Sequence, residues 1–143
     1  MKSKIVPYLV KAKPLYLVKA KPLFGTSYRE VYKNAMVVYR EIERRTKRKS
    51  YIRSAYFNKQ KVFFDYFWQH LFQKNLKDRT RRLKFFIATI ELIEKSENKP
   101  SQRIVNKIEI YRFYGRIKNS SKFVAQIKKD GRGLHLMSCF PWE

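Results

Sequence analysis

Residues Ile108–Pro141 read IEIYRFYGRIKNSSKFVAQIKKDGRGLHLMSCFP, and the fold is decided by how this stretch is read. Its apolar period is 2. Ile108, Ile110 and Tyr114 alternate with Glu109 and Tyr111, and Gly115 ends or kinks that strand. Lys118-Asn119-Ser120-Ser121 is turn chemistry. Phe123, Ala125 and Ile127 alternate on the next strand, and Asp130-Gly131-Arg132-Gly133 is a hairpin signal. Leu134, Leu136, Ser138 and Phe140 then share one face of a last strand, which Pro141 ends. Three short strands in this order predict an antiparallel meander. It must bury one face against helices, because so small a sheet is marginal by itself.

Upstream the period is 3.6. Ser27-Tyr28-Arg29-Glu30 reads as a capping box, and Tyr28, Val31, Tyr32, Ala35, Val38, Tyr39 and Ile42 recur at helical spacing. This predicts a first helix to about residue 46. Asn58 can cap a second helix carrying Val62, Phe63, Tyr66, Phe67, His70 and Leu71. A third is predicted over Asp78–Lys95, with Leu83, Phe86, Ile87, Ile90 and Ile93 as its core stripe. Its first turns carry Arg79, Arg81, Arg82 and Lys84 against the helix dipole, which invites a compensating anion. The expected fold class is α+β, with about three N-terminal helices packed on a C-terminal three-stranded antiparallel meander. Residues 27–143 form its single domain.

Residues 1–26 stand apart. YLVKAKPL occurs at Tyr8–Leu15 and again, letter for letter, at Tyr16–Leu23. Pro7, Pro14 and Pro22 break any helix. The segment reads as a flexible basic arm with a tandem repeat, far shorter than a solenoid period.

The chain has 143 residues, room for one domain. Lys and Arg number 34 against 11 Asp and Glu, for a net charge of +23. Apolar residues make up 44% and aromatics 16%, so the charge sits on a folded body rather than a disordered tail. Such a one-sign surface repels itself and calls for a polyanionic partner. With one cysteine, Cys139, there is no internal disulfide and no cysteine-rich zinc site. Two histidines, His70 and His135, exclude a three-histidine metal centre. The four glycines form neither a P-loop nor a dinucleotide-binding turn. No apolar run is long enough to span a bilayer, and lysines interrupt every apolar run of the first 23 residues, so a cytoplasmic protein is expected.

Residues 44–64 hold eight Lys or Arg and no acid, among them Arg44, Arg45, Lys47 and Arg48. Residues 74–84 hold six against Asp78 alone. Interleaved Tyr and Phe suit phosphate contact plus base stacking. RNA or DNA is the expected partner, with no membrane and no small-molecule cofactor. His70 reads either as a general acid or base or as a half-buried histidine with one hydrogen bond. His135 is expected at the surface, and Cys139 as a buried inert thiol. Arg112, Gln126, Lys128 and Ser138 are polar intrusions on the predicted sheet. They would either converge on a phosphate or simply pair with one another. Asp65 and Glu109 read as isolated acids, so no two-metal site is expected. A metal-free route suits RNA, whose 2′-OH attacks the neighbouring phosphate with only a base, an acid and cations to help.

Arg53-Ser54-Ala55-Tyr56-Phe57-Asn58, Phe64-Asp65-Tyr66-Phe67-Trp68, Arg81-Arg82-Leu83-Lys84, Arg112-Phe113-Tyr114-Gly115, Val124–Lys128 and Ser138-Cys139-Phe140-Pro141 resemble a group of small basic bacterial proteins. The likeness spans roughly residues 44 to 141, and its last part is similar to the barnase/EndoU/colicin/RelE (BECR) nuclease superfamily. The resemblance implies a metal-independent endoribonuclease of toxin, phage or mobile-element type, with no cofactor, and an acidic antitoxin-like protein as a further partner class. It also implies roles. Arg112 and Lys128 stabilise charge on the phosphate, Ser138 orients it and Gln126 holds a base or ribose. Arg79, Arg81, Arg82 and Lys84 bind flanking backbone. Two positions depart from the group's pattern: Tyr111 stands where a histidine is usual, and Lys129 where an acid is common. RelE-like chemistry makes Tyr111 a catalytic candidate beside Arg112 and Lys128, although Tyr111 and Arg112 point to opposite faces of one strand.

Overall fold

The computed structural model describes residues 15–23, 25–118 and 121–142. The first repeat copy up to Pro14, and Asn119-Ser120 of the predicted turn, lie outside the described residues. Among the described residues there are four helices and seven strands. The strands are β1 (Tyr16–Leu17), β2 (Tyr51–Ser54), β3 (Gln60–Phe63), β4 (Ser101–Val105), β5 (Ile108–Arg116), β6 (Lys122–Asp130) and β7 (Gly133–Pro141). The helices are α1 (Tyr28–Arg45), α2 (Phe67–Phe72), α3 (Leu76–Leu83) and α4 (Phe86–Lys95). The strands form one mixed sheet in the order β1-β5-β6-β7-β3-β2, with β4 also on β5, curled into a half-barrel. The expected three helices on a three-stranded meander are therefore overturned. β5, β6 and β7 are successive antiparallel neighbours, but they form the middle of a larger sheet.

The discrepancies have local causes. Asn58 and Lys59 take φ of 55° and 67°, and the left-handed pair turns the chain between β2 and β3 where a helix cap was expected. Val62 is consequently a strand residue on the β3–β7 parallel pairing, not part of a helix. Asn106 and Lys107, at φ of 50° and 68°, make the same kind of turn between β4 and β5.

The predicted third helix is two helices. Phe85 stacks on Phe123 at 5.3 Å, while Phe86 packs among Phe64, Phe67 and Trp68. The two rings serve different parts of the core, and the helix breaks between them. Arg81 and Arg82 thus fall in the last turn of α3, and Asp78 in its first turn, where Asn75 caps the helix. These charges agree with the dipole, so the expected conflict and its compensating anion disappear. Ser27 does cap α1, its hydroxyl accepting from the Glu30 N–H, while the Glu30 carboxylate accepts from Thr26 N–H.

The second repeat copy, expected within a flexible arm, lies along the sheet edge. Tyr16-Leu17 pairs with Gly115-Arg116, Val18 is buried, and the Lys19 and Ala20 N–H groups donate to the Glu91 carboxylate.

One sheet face carries Tyr111, Phe113, Phe123, Ala125, Ile127, Leu134, Leu136 and Cys139, all buried. Gly115 lies on this face against Phe123 and Leu92 of α4. The register slips between Gln126 and Ile127: Gln126 faces Ser138, and Ile127 faces Leu136. Met137 is thus an extra residue, a β-bulge. It reverses the phase of the strand. Leu136 and Cys139 point to the core, while His135, Ser138 and Phe140 occupy the other face. The expected single face of Leu134, Leu136, Ser138 and Phe140 is corrected accordingly.

Candidate active site and nucleic-acid interface

On the sheet face opposite the core, Arg112, Gln126 and Ser138 stand in register across β5, β6 and β7. The Arg112 Nε donates to Gln126 Oε1 at 2.9 Å. The Arg112 guanidinium is also 5.4 Å from the centre of the Phe140 ring. Arg82 approaches the same ring from α3, again at 5.4 Å, with its Nε on Asp78 Oδ2 at 3.1 Å. His70, Arg82 and Ser138 line a void of about 10 Å³ beside the Met137 bulge, together with Phe67, Leu71 and Cys139. The bulge thus places Ser138 in the wall of the same small void as His70 of α2 and Arg82 of α3. Burial, then the charges of Lys74 and Arg82, hold the His70 imidazole below its ordinary value of 6.5. A lowered value favours the neutral imidazole, the form that can take a proton. Cys139, one residue on, is fully buried and its thiol is pushed up to about 12, mainly by desolvation. That is the inert thiol expected from the sequence.

The next row on the same face is Ile110, Lys128, His135 and Phe63. Lys128 Nζ lies 4.4 Å from the Tyr66 ring centre and 3.3 Å from Asp130 Oδ2. His135, expected at the surface, is only 2% exposed. Its Nδ1 is 2.9 Å from Asp65 Oδ1 and its Nε2 is 3.4 Å from Asp130 Oδ1. Asp65 is thus not isolated, and Lys49 lies 3.7 Å from its other oxygen. Tyr66 packs edge-on against the imidazole at 4.9 Å, and Arg132 donates to the Tyr66 hydroxyl at 2.7 Å. The Arg132 N–H, then Lys128 and His135, hold the Asp130 carboxyl below its usual range. Buried beside two carboxylates, His135 links β7 to the β3–α2 loop through Asp65, while its Nε2 makes no hydrogen bond among the described residues. The hairpin parity already puts it level with Lys128; the Asp65 contact, 70 positions away, has no sequence signal.

Tyr111 does not join this face. It is on the core side, and its phenol donates to Glu109 Oε1 at 2.7 Å and accepts from Gln102 Nε2 at 3.3 Å. Burial and then Glu109 hold that phenol well above its ordinary value. The catalytic expectation for Tyr111 is corrected: it neither reaches the Arg112 row nor ionises readily.

The predicted nucleic-acid contacts disperse. Arg79 turns inward and donates to the carbonyls of Lys74 (2.8 Å) and Phe72 (2.6 Å), closing the end of α2. Arg81 lies on Asp78 and is half-exposed. Lys84 lines a separate cleft of about 660 Å³ with Lys19, Leu23 and Ile117, away from the Arg112 row. Arg44 turns to Glu41. Arg45, Lys47 and Arg48 line a cleft of about 640 Å³ together with Lys49, Tyr51, Lys61 and Phe63. The last four of these were not singled out as binders in the sequence. Phe63 is the register partner of His135, so this cleft continues the face that bears Lys128.

Among the described residues, no three His, Cys, Asp or Glu side chains are grouped to hold a metal ion, and no helix is long and apolar enough to cross a membrane. No protein-family model, no curated protein and no solved structure matches the chain.

Proposed function

We propose that this chain is a metal-independent endoribonuclease that cleaves RNA by attack of a 2′-OH on the adjacent phosphate. The observation that carries the reading is the row of Arg112, Gln126 and Ser138 in register across β5, β6 and β7, with the Arg112 and Arg82 guanidiniums both beside the Phe140 ring. Neutral His70 takes the 2′-OH proton. The 2′-oxygen bonds to phosphorus, the bond to the 5′-oxygen breaks, and that oxygen takes a proton from solvent. Arg112 and Arg82 oppose the charge that builds on the phosphoryl oxygens, with Lys128 in the neighbouring row. The Ser138 hydroxyl orients the phosphate, and the Gln126 amide, already fixed by Arg112, meets the base or ribose. The products are a 2′,3′-cyclic phosphate and a 5′-hydroxyl. The BECR resemblance and the charge of +23 agree with this reading. They also agree with a cytoplasmic protein of toxin, phage or mobile-element type, whose cationic face an acidic antitoxin-like partner would cover.

The test is RNA incubated with the protein and excess chelator, with the products analysed for a cyclic phosphate. Arg112→Ala should slow formation of that product about 100- to 1,000-fold while Arg81→Ala leaves it.

A second reading, a non-catalytic RNA- or DNA-binding protein, is supported by the enclosure of His135, the other histidine, between two carboxylates. It expects binding that falls steeply with salt, no turnover, and no special loss for Arg112→Ala.

A further inference from the structure

The cleft between the end of α1 and the β2–β3 hairpin joins two features that separate surfaces seldom combine. Its rim is cationic: Arg45, Lys47, Arg48 and Lys61 are all exposed. Its floor is aromatic: Tyr51 and Phe63 are register partners on the same sheet face, half-buried, with centroids 6.1 Å apart and planes at 71°. Rings so inclined cannot clamp one flat ligand between them, but each offers a face to a different one. Long cations already rest over these faces. Lys61 Nζ is 4.6 Å from the Tyr51 centre, the Arg53 guanidinium 5.4 Å, and Lys49 Nζ is 6.0 Å from Phe63. Each is an exposed side chain that can swing aside toward a phosphate when a base takes its place. Duplex nucleic acid keeps its base faces stacked inside and would meet the rim alone. A single strand can use both rim and floor.

We infer that this cleft is a base-stacking subsite for single-stranded nucleic acid, with Tyr51 and Phe63 as platforms and Arg45, Lys47, Arg48 and Lys61 on the phosphates. It rests on the reading of the chain as nucleic-acid-directed, though not on its being a nuclease. The subsite sits beside the proposed reaction centre. From Lys128 on β6 through His135 and Phe63 to Tyr51 is three strand spacings, about 14 Å along one sheet face. A strand stacked here would run toward the Arg112 row in an extended form, with its bases splayed from one another. That is the state in which a 2′-OH can reach the in-line position.

The experiment is fluorescence anisotropy with a labelled oligothymidylate of about 12 nucleotides, a length within the range one small binding fold covers. Having no 2′-OH, it cannot be cut by the proposed reaction. A DNA duplex of the same length is the comparison. Tyr51→Leu keeps an apolar side chain on β2, and Tyr51→Trp keeps the stacking face. We expect Tyr51→Leu to weaken single-strand binding roughly 5- to 150-fold, Tyr51→Trp to retain it, and duplex binding to follow neither change. Should Tyr51→Leu bind the single strand as the unaltered protein does, or should both ligands weaken together, the cleft is a general polyanion patch and the inference falls. If Tyr51→Trp fails as Tyr51→Leu does, stacking is excluded as well. These outcomes are independent of cleavage. Absent turnover would overturn the proposed nuclease and leave the subsite standing, and loss of stacking would leave an active nuclease intact.

Discussion

Arg112 and Gln126 face each other across β5 and β6, with the guanidinium Nε donating to the amide Oε1 at 2.9 Å. The bond fixes the amide's orientation, with its NH2 left to serve as a donor, and aims the guanidinium toward Phe140, near which Arg82 also lies. Replacement of Arg112 by Ala should lower cleavage about 100- to 1,000-fold, the usual cost of one charge-stabilising donor. Arg112→Lys should recover only part of the loss, because an ammonium lacks the planar fork. The rate of cyclic-phosphate formation, measured for both, checks this.

As the base of the proposed reaction, His70 would set the pH dependence of cleavage. Its folded value lies below 6.5, chiefly through burial and then through Lys74 and Arg82. The basic, neutral form therefore persists to lower pH than for a free histidine. The acid limb of kcat/KM should have its midpoint below 6.5, and Lys74→Gln should move that midpoint upward by removing a positive neighbour. His70→Ala should lower kcat by about 100-fold or more and abolish the limb. Stability follows the same sign. The contribution of neutral His70 is fully present above the unfolded value near 6.5 and is lost as pH falls through the lower folded value.

Arg79 is a structural residue despite its basic neighbours. Its two bonds to the Lys74 and Phe72 carbonyls predict that Arg79→Ala destabilises the fold by about 1.5–3 kcal/mol. Nucleic-acid affinity of the folded variant should stay close to that of the parent. Denaturant titration and an anisotropy assay separate the two effects.

Gly115 permits a close approach inside the sheet. A Cβ there would sit 2.6 Å from Phe123 Cζ and 3.3 Å from Leu92 Cδ2, and the Phe123 ring is held by its stack on Phe85. Gly115→Ala should destabilise by about 1–3 kcal/mol, read as a lowered denaturant midpoint.

The strands from Ile108 onward were legible because alternation, the Asp130–Gly133 turn and Pro141 all point the same way. The first helix was legible for a like reason, since Ser27, Glu30 and a regular apolar stripe agree. The β2–β3 hairpin was not. Phe63, Phe64, Phe67 and Trp68 make a run so rich in apolar residues that it satisfies either period, and only the left-handed Asn58-Lys59 pair separates strand from helix. The parallel β3–β7 pairing joins residues some 70 positions apart, and no local pattern encodes it. In the candidate site, the sequence reads Arg112 as a charge on the apolar face of Ile108, Ile110 and Tyr114 and turns Gln126 and Lys128 away from Phe123. The β5–β6 register instead makes Tyr111 and Phe113 the core side and sets Arg112 on one face with Gln126 and Lys128. Ser138 joins them only through the Met137 bulge, which alternation does not announce. The same bulge hides the kinship of Ser138 with His135, and burial of His135 depends on Asp65 and Asp130 arriving from elsewhere. The basic runs gave the charge of the surface but not its partition. Arg79 caps a helix, Arg82 lines the small void, and Arg45, Lys47 and Arg48 reach the aromatic cleft.

The Arg112 row is proposed to perform phosphoryl chemistry on RNA. Single-stranded RNA incubated with the protein at micromolar concentration in excess chelator tests it most directly, with end-group analysis of the fragments. Fragments ending in 2′,3′-cyclic phosphate are expected, forming about 100- to 1,000-fold more slowly with Arg112→Ala. Intact RNA, or fragments that form equally well with Arg112→Ala, would contradict it.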